Sequence, residues 1–316
     1  MGFSFLHRHR GTTPYFLLLP GMLWLGIFFL VPLGFLVYQS LQSGNFEVGY
    51  AFNWAWGNYW HAIQNYRGEF ERSFLYAGFA TVIALVVSYP VAYWIAFRGG
   101  RWKNLLLLFI VAPFFVTYLI RTLAWQTILA DHGFVVRTLE TLHLVAHGGR
   151  VLNTAVAVVA GITYNFLPFM ALPLYVSLEQ IDARLIEAAE DLYASKVQAF
   201  LRVTVPLSLP GIVAGTLLTF IPAAGDFINA QLLGSPTNHM IGNVIQSKYL
   251  ETGDIPAAAS MSFILMAIIV VMVLLYARAV GTEQLTGRAP STPRSQSVVP
   301  ARAWLPRRGR SYAGTC

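Results

Sequence analysis

The chain has 316 residues, of which 56% are hydrophobic and 11% charged, and it carries a net charge of +7. So few charges exclude an ordinary soluble domain, in which about 25% of residues are charged, and favour a polytopic membrane protein. The positive charge does not point to nucleic acid, because Arg and Lys sit at the ends of apolar runs and in the tails without forming a basic helix face; the single cysteine, Cys316, excludes an internal disulfide or a cysteine metal motif.

In chain order, residues 1–14 form a short N-terminal tail. The apolar run from Tyr15 to Tyr38 is too long for a signal-peptide core and lacks a small-x-small cleavage site, so it reads as a retained span over 15–39. Pro20 and Pro32 lie near its ends, where proline costs least. Residues 40–72 form a loop rich in aromatics (Trp54, Trp56, Tyr59, Trp60), as expected of a segment lying at the membrane interface. Further spans are expected over 73–97, 104–129, 153–178, 208–231 and 257–278, giving about six. Each must be helical, because a lone segment in lipid has to satisfy its own backbone polar groups. The fold class is therefore all-α and polytopic, with a transmembrane domain over 15–280. The tail over 281–316, rich in Pro, Ser, Gly and Arg, is expected to be disordered and to lie at anionic lipid headgroups.

Orientation follows from the basic residues. Arg67, Arg72, Arg137, Arg150 and Lys248 fall on one side, Arg121 falls inside a span, and the other fifteen fall on the opposite side. The positive-inside rule places both termini and the loop over 179–207 in the cytoplasm. That loop is the largest hydrophilic gap on its side. Asp182 can N-cap a helix carrying Arg184, Glu187, Glu190 and Asp191, with Ala188, Ala189, Leu192 and Ala194 as small or helix-forming residues. The outcome is a short helix with an acidic side and a small apolar side, either a solvated connector or a docking device.

Two charges lie within spans, Arg121 about 17 residues into the third and Asp226 about 18 into the fifth. At similar depth they either pair with each other or, in the sharper reading, Asp226 attracts cations to a path walled by Phe115, Tyr118, Trp125 and Tyr164. Asn165, Pro168 and Pro173 are expected to break the fourth span into a bent gate helix, and Asn229 and Gln231 to continue a polar stripe after Asp226. Gly211 and Gly215 permit close helix packing, chiefly within the subunit. The seven histidines lack ligand spacing, so no metal is assigned, and no nucleophile–histidine set has a joint location. No G-x-x-x-x-G-K-[ST] phosphate loop occurs in the chain, so the chain is not expected to be an enzyme and any ATPase would be a separate polypeptide.

The segment EAAEDLYASKVQAFLRVTVPLSLPGIVAG, Glu187 to Gly215, resembles the EAA loop of ABC-importer permeases. Arg121-Thr122-Leu123-Ala124-Trp125, Leu167-Pro168-Phe169-Met170, Leu172-Pro173-Leu174-Tyr175 and Ile241-Gly242-Asn243-Val244-Ile245 narrow the resemblance to the spermidine/putrescine-type permeases, over about Tyr15 to Ala279. It implies a type I ABC-importer permease fold in a bacterial inner membrane. A cytoplasmic coupling helix, Glu187, Ala188, Ala189, Asp191, Leu192, Tyr193 and Ala194, would dock on an ATPase subunit: Glu187 by a charged contact, Ala188 and Ala189 by close approach, Leu192 in an apolar pocket. Pro206 and Pro210 would start the next span rigidly. The implied partners are a second permease, two ATP-binding subunits holding ATP and magnesium, and an extracytoplasmic solute-binding protein. The implied substrate is a polyamine, with Asp226, Arg121, Trp125, Tyr118, Tyr164, Asn165 and Asn229 along its path; related permeases carry opines, aminophosphonates, iron or thiamine. The family has Gly where this chain has Tyr193, and a bulky aromatic avoids positive φ, so a different bend is expected there. The competing classes are an ATP-independent secondary transporter, which would show repeats and several intramembrane acids, and a membrane scaffold.

Overall fold

The computed structural model describes residues 13–131, 133–141 and 149–280; the expectations for both tails and for several histidines lie outside them. The first apolar run forms α1 (Thr13–Leu25), a π-helical turn Gly26–Leu30, and α2 (Val31–Ser40). Pro32 sits in the first turn of α2, where its missing N–H costs least, whereas Pro20 lies inside α1. The loop that follows is more ordered than an all-α reading implies. It opens with an antiparallel hairpin, β1 (Gln42–Asn45) and β2 (Gly49–Phe52), pairing Gln42 with Phe52 and Asn45 with Gly49. Asn45 Oδ1 accepts the backbone N–H of Glu47 (3.2 Å) and Val48 (2.9 Å), which closes the turn. Gly44, at φ 123°, has the carbonyl oxygen of Gly49 where a Cβ would stand. Next comes α3 (Gly57–Asn65). The aromatic residues of this region form a ladder, with ring centroids of Tyr38 and Phe52 5.2 Å apart, Phe52 and Trp54 5.0 Å, Trp54 and Trp56 6.4 Å, and Trp56 and Tyr59 6.0 Å.

The second span is one helix, α4 (Arg67–Arg98). The third is not one helix. After α5 (Lys103–Val111) a 3₁₀ turn, Ala112–Phe115, contains Pro113, Val116 and Thr117 are extended, and α6 (Tyr118–Ile128) leaves at 93° to the preceding helix. Hydropathy sees 104–129 as one span because every residue at the bend is apolar or small; the proline and the two β-branched residues after it break the hydrogen-bond ladder. A short helix, α7 (Phe134–Thr141), precedes the fourth span, α8 (Ala155–Glu179). Here the expectation of a broken gate helix is overturned. Pro168 and Pro173 both lie inside a continuous helix. Each removes one donor, but α4 and α12 pack along α8, and in such a setting local adjustment absorbs the loss.

Beyond α8 lie α9 (Ala183–Asp191), α10 (Lys196–Ala199), a π turn Phe200–Thr204, α11 (Val205–Leu207) and α12 (Leu209–Ala224). Pro206 and Pro210 each stand in the first turn of a helix, and the two helical stretches meet at 63° around Ser208. The fifth span ends at Ala224 instead of reaching 231: Gly225, Asp226 and Phe227 interrupt it before α13 (Ile228–Leu233). The chain closes with α14 (Ile241–Leu250) and α15 (Ile255–Val280). Among the described residues four helical stretches (Leu18–Ser40, α4, α8 and Ile255–Arg278) are long and apolar enough to cross a bilayer, and counting each bent pair as one crossing gives up to six.

The core is built from α4, α8 and α12. Small residues let them approach: Ala77, Ala80 and Ala84 of α4 are fully buried, and Gly211 and Gly215 of α12 pack on α8 within this chain. A methyl group at Gly211 would stand 2.5 Å from Ser177 Cβ and 2.7 Å from the Pro173 carbonyl oxygen. Since backbone cannot rotate away, Gly211→Leu is expected to destabilise the fold by about 1–3 kcal/mol, read as a lower unfolding midpoint in detergent. An unchanged midpoint would show that α12 can shift off α8 at no cost.

Candidate functional site

Two regions hold the residues singled out by sequence. The first is α9 and its surroundings. Asp182 caps α9, its Oδ1 accepting the Arg184 backbone N–H at 3.0 Å. Ser195 caps α10 in a reciprocal box with Gln198, at 3.3 and 3.1 Å. Between the caps the chain reverses on Tyr193, which takes the left-handed conformation at φ 64°. Its N–H donates to the Glu190 carbonyl (2.9 Å) and that of Ala194 to the Ala189 carbonyl (3.1 Å), the paired bonds of a Schellman C-cap. The expectation that an aromatic would change this bend is therefore corrected. Left-handed backbone costs a non-glycine residue about 1–2 kcal/mol, and the two carbonyls satisfied at the helix end offset it. Glu187, Ala188, Asp191, Leu192 and Tyr193 are exposed, while Ala189 and Ala194 are half-buried beneath them.

This segment is tied mechanically to the spans. Phe200 meets the rings of Tyr89 and Tyr93 on α4 edge-on, at 5.5 and 5.7 Å. The Tyr89 hydroxyl shares a 2.8 Å hydrogen bond with Ser208 at the elbow before α12. Lys103 at the start of α5 pairs with Glu179 at the end of α8 (3.1 Å). The stretch that follows α10 is thus packed against α4 and bonded to it at the elbow before α12.

The second region is the break between α12 and α13. Asp226 is 6% exposed and accepts hydrogen bonds from the Tyr118 hydroxyl, from Asn229 Nδ2 (2.6 Å) and from the Asn229 backbone N–H (3.1 Å). Asn229 Nδ2 also donates to the Tyr118 oxygen (2.5 Å), and its Oδ1 accepts from Thr122 (3.3 Å) and Asn165 (3.1 Å). Five side chains from α6, α8, α13 and the break thus form one buried network with Asn229 at its centre. Sequence reading named four of them. It missed Thr122, four residues after Tyr118 and hence on the same face of α6. It also missed what holds the break: Asn243 Nδ2 donates to the Phe227 carbonyl (2.8 Å), and a Cβ at Gly242 would stand 2.7 Å from the Gly225 oxygen.

Arg121 is not paired with Asp226; among the described residues no ion pair joins them. The guanidinium, 7% exposed, lies over the rings of Phe114 (5.4 Å) and Tyr118 (5.6 Å), with Nε and Nη1 lacking a hydrogen-bond partner. The bend before α6 undoes the depth comparison that suggested the pair. Trp125 and Tyr164 meet at 5.4 Å and line an apolar groove of about 610 Å³ with Tyr76 and Thr163, apart from the polar network. Phe115 is 81% exposed and joins neither group. Gln231 turns away from Asn229 and lines a separate polar pocket of about 300 Å³ with Tyr66, His239 and Lys248, so the expected stripe is not continuous. Among the described residues no three His, Cys, Asp or Glu side chains are placed to hold a metal.

The family of binding-protein-dependent transport system inner membrane components matches residues 88–280. The spermidine/putrescine transport system permease protein of Haemophilus influenzae is 36% identical over 266 residues, 84% of this chain and 89% of that protein. Its counterpart from Escherichia coli K12 is 40% identical over 200 residues, 63% of this chain and 73% of that protein. A chain of a bacterial ABC transporter involved in the import of the acidic polysaccharide alginate has the same fold, with a TM-score of 0.64 over 86% of this chain and 96% of its own, at 18% identity.

Proposed function

Because this chain belongs to the family of binding-protein-dependent transport system inner membrane components, we propose that it is the membrane-spanning permease subunit of an ATP-driven importer of polyamines. The observation that carries the substrate class is the 36% identity to a spermidine/putrescine permease along 84% of the chain. The chain is a multi-pass protein of the inner membrane, and the excess of Arg and Lys on the side of α9 supports a cytoplasmic position for that side and for both termini.

In this reading the chain catalyses no reaction; ATP and magnesium are bound on two separate ATPase subunits. A second permease completes the path, because six spans enclose a hydrophilic passage poorly, and an extracytoplasmic binding protein delivers the solute. α9 is the coupling helix: capped at both ends, exposed along Glu187, Ala188, Asp191 and Leu192, and linked through Phe200 and Ser208 to α4 and α12. Closure of the ATPase pair would move α9 and part the helices around the break. Asp226, held by neutral donors and in no ion pair among the described residues, is the group a cationic amine would meet once α6 and α13 separate, with Tyr118 and Asn229 releasing it and Asn165 lining the path beside Asn229. Arg121, Trp125 and Tyr164 would line the same passage farther along.

The test is ATP hydrolysis by the reconstituted complex with its binding protein, across spermidine, putrescine, an opine, an aminophosphonate and ferric iron. Stimulation by a polyamine alone is expected. Stimulation by another of these solutes would keep the importer and discard the polyamine.

A further inference from the structure

The polar cavity that Gln231 lines stands apart from the Asp226 network. It holds about 300 Å³, the size at which pockets begin to take small ligands. Tyr66 on its wall directly precedes α4, and Tyr89 and Tyr93 toward the other end of α4 meet Phe200 after α10. The cavity is therefore at the far end of that helix from α9, on the side where solute arrives. Asn243, Ser247 and Glu251 line it at intervals of four residues, and the Glu251 N–H still donates to the Ser247 carbonyl (2.9 Å), so the three share one helical face. Glu251 is exposed at one end of this face. Asn243 is buried at the other, where its Nδ2 donates to the Phe227 carbonyl next to Asp226 (2.8 Å). α13 is the partition: Asn229 turns into the network, and Gln231, two residues on, lines the cavity.

Charge and hydrogen bonding in the cavity describe its ligand. Lys248 Nζ pairs with Asp254 at 3.3 Å, so its charge is answered within the chain. The Glu251 carboxylate is in no ion pair among the described residues and accepts only the Ser247 hydroxyl, at 2.7 Å. The side-chain amides of Gln231 and Gln246, both on the wall, form no hydrogen bond among the described residues. One unanswered carboxylate beside free amide oxygens suits a group that is positive and donates several hydrogen bonds, as a primary ammonium does. An anion would meet Glu251 with no unpaired Lys or Arg to hold it.

We propose that this cavity is an entry site for the ammonium groups of a polyamine, with Glu251 as their counter-ion, from which the solute passes along the α14 face to Asp226. The proposal rests on the polyamine reading. Glu251 and Asp226 stand on either side of α13, neither in an ion pair among the described residues. One charged nitrogen can stay at Glu251 while the next reaches the break, so a multiply charged amine is not stripped of every partner at once.

The experiment is photolabelling of the complete complex in lipid nanodiscs, without binding protein, by a spermidine that carries a diazirine, with the labelled residues mapped by mass spectrometry. Saturable labelling is expected on α14 and at Tyr66. Glu251→Gln keeps the size of an exposed side chain and its acceptor for Ser247, so folding should be unaffected. Half-maximal labelling should need about tenfold more probe in Glu251→Gln, which loses the charge, and stay within about threefold in Glu251→Asp, which keeps it. Equal labelling of Glu251→Gln and the original chain overturns the proposal, as does an equal loss in Glu251→Gln and Glu251→Asp, or labelling of α14 that does not saturate. Saturable labelling confined to α6 and α13 removes the entry site and leaves the polyamine reading standing. No saturable labelling anywhere, in a complex whose ATPase another solute stimulates, overturns the polyamine reading and the entry site with it.

Discussion

Asn229→Ala is expected to lower stability by about 2–5 kcal/mol. Asn229 donates to Asp226 and Tyr118 and accepts from Thr122 and Asn165, all at 3.3 Å or less, and it is fully buried. Truncation leaves a buried carboxyl short of one donor and takes one acceptor each from the Thr122 hydroxyl and the Asn165 amide, which keep only the Tyr118 carbonyl and Thr122 Oγ1, and water cannot reach the site to replace what is lost. Thermal unfolding of the purified chain in detergent reads the loss; an unchanged midpoint would show that the network does not hold the break. Asp226→Asn makes the informative comparison. It keeps the shape, and its one remaining oxygen can still accept from Tyr118 and Asn229 Nδ2, so the midpoint should fall by only about 1–2 kcal/mol. If Asp226 meets the amine in transit, the same variant should need about tenfold more polyamine-loaded binding protein for half-maximal ATPase stimulation. Unaltered stimulation would remove Asp226 from the path and leave it a purely structural group.

Glu187→Arg is expected to leave insertion and folding intact and to uncouple ATP hydrolysis from uptake. The side chain is exposed, makes no hydrogen bond within the described chain, and stands mid-helix between two good caps, so the reversal has little to disturb internally. At a docking interface it turns an attraction into a repulsion, worth about 2–4 kcal/mol at a central position and hence about 30-fold or more in affinity. Uptake by reconstituted vesicles and basal ATPase, measured together, decide the matter: normal uptake would rule out α9 as the point of contact.

Much of the site was legible in the residues themselves. Asp182, an N-capping residue ahead of an acidic, alanine-rich stretch, announced α9, and Pro206 and Pro210 announced the helix starts that follow. These are local signals, each read within one turn of helix. Asp226 and Asn229 were found because polar groups in an apolar run are costly and so conspicuous, whereas Tyr118 was named as an aromatic wall and Asn165 beside the prolines of the fourth span. Their grouping was not legible. Arg121 was matched to Asp226 by counting residues along straight helices, and the bends at Pro113 and at Gly225 made that count meaningless. Tyr193 was judged by its own preference, whereas two hydrogen bonds to carbonyls of α9 decide its conformation. Pro168 and Pro173 were read as breaks from their missing donors, yet α8 runs through both as one continuous helix.

The amino-acid sequence by itself determined the membrane class, the position of the apolar runs, the capped acidic helix and the absence of a phosphate loop. All of these depend on hydropathy or on contacts within a few residues, which sum along the chain in order. Only the tertiary structure decided where the third and fifth crossings break, that Asn229 and not Arg121 partners Asp226, and that Gly211 and Gly215 serve packing against α8. Those outcomes are settled by groups far apart in sequence, because a buried polar atom takes whichever partner the packed helices bring within about 3 Å, and spacing along the chain carries no record of that choice.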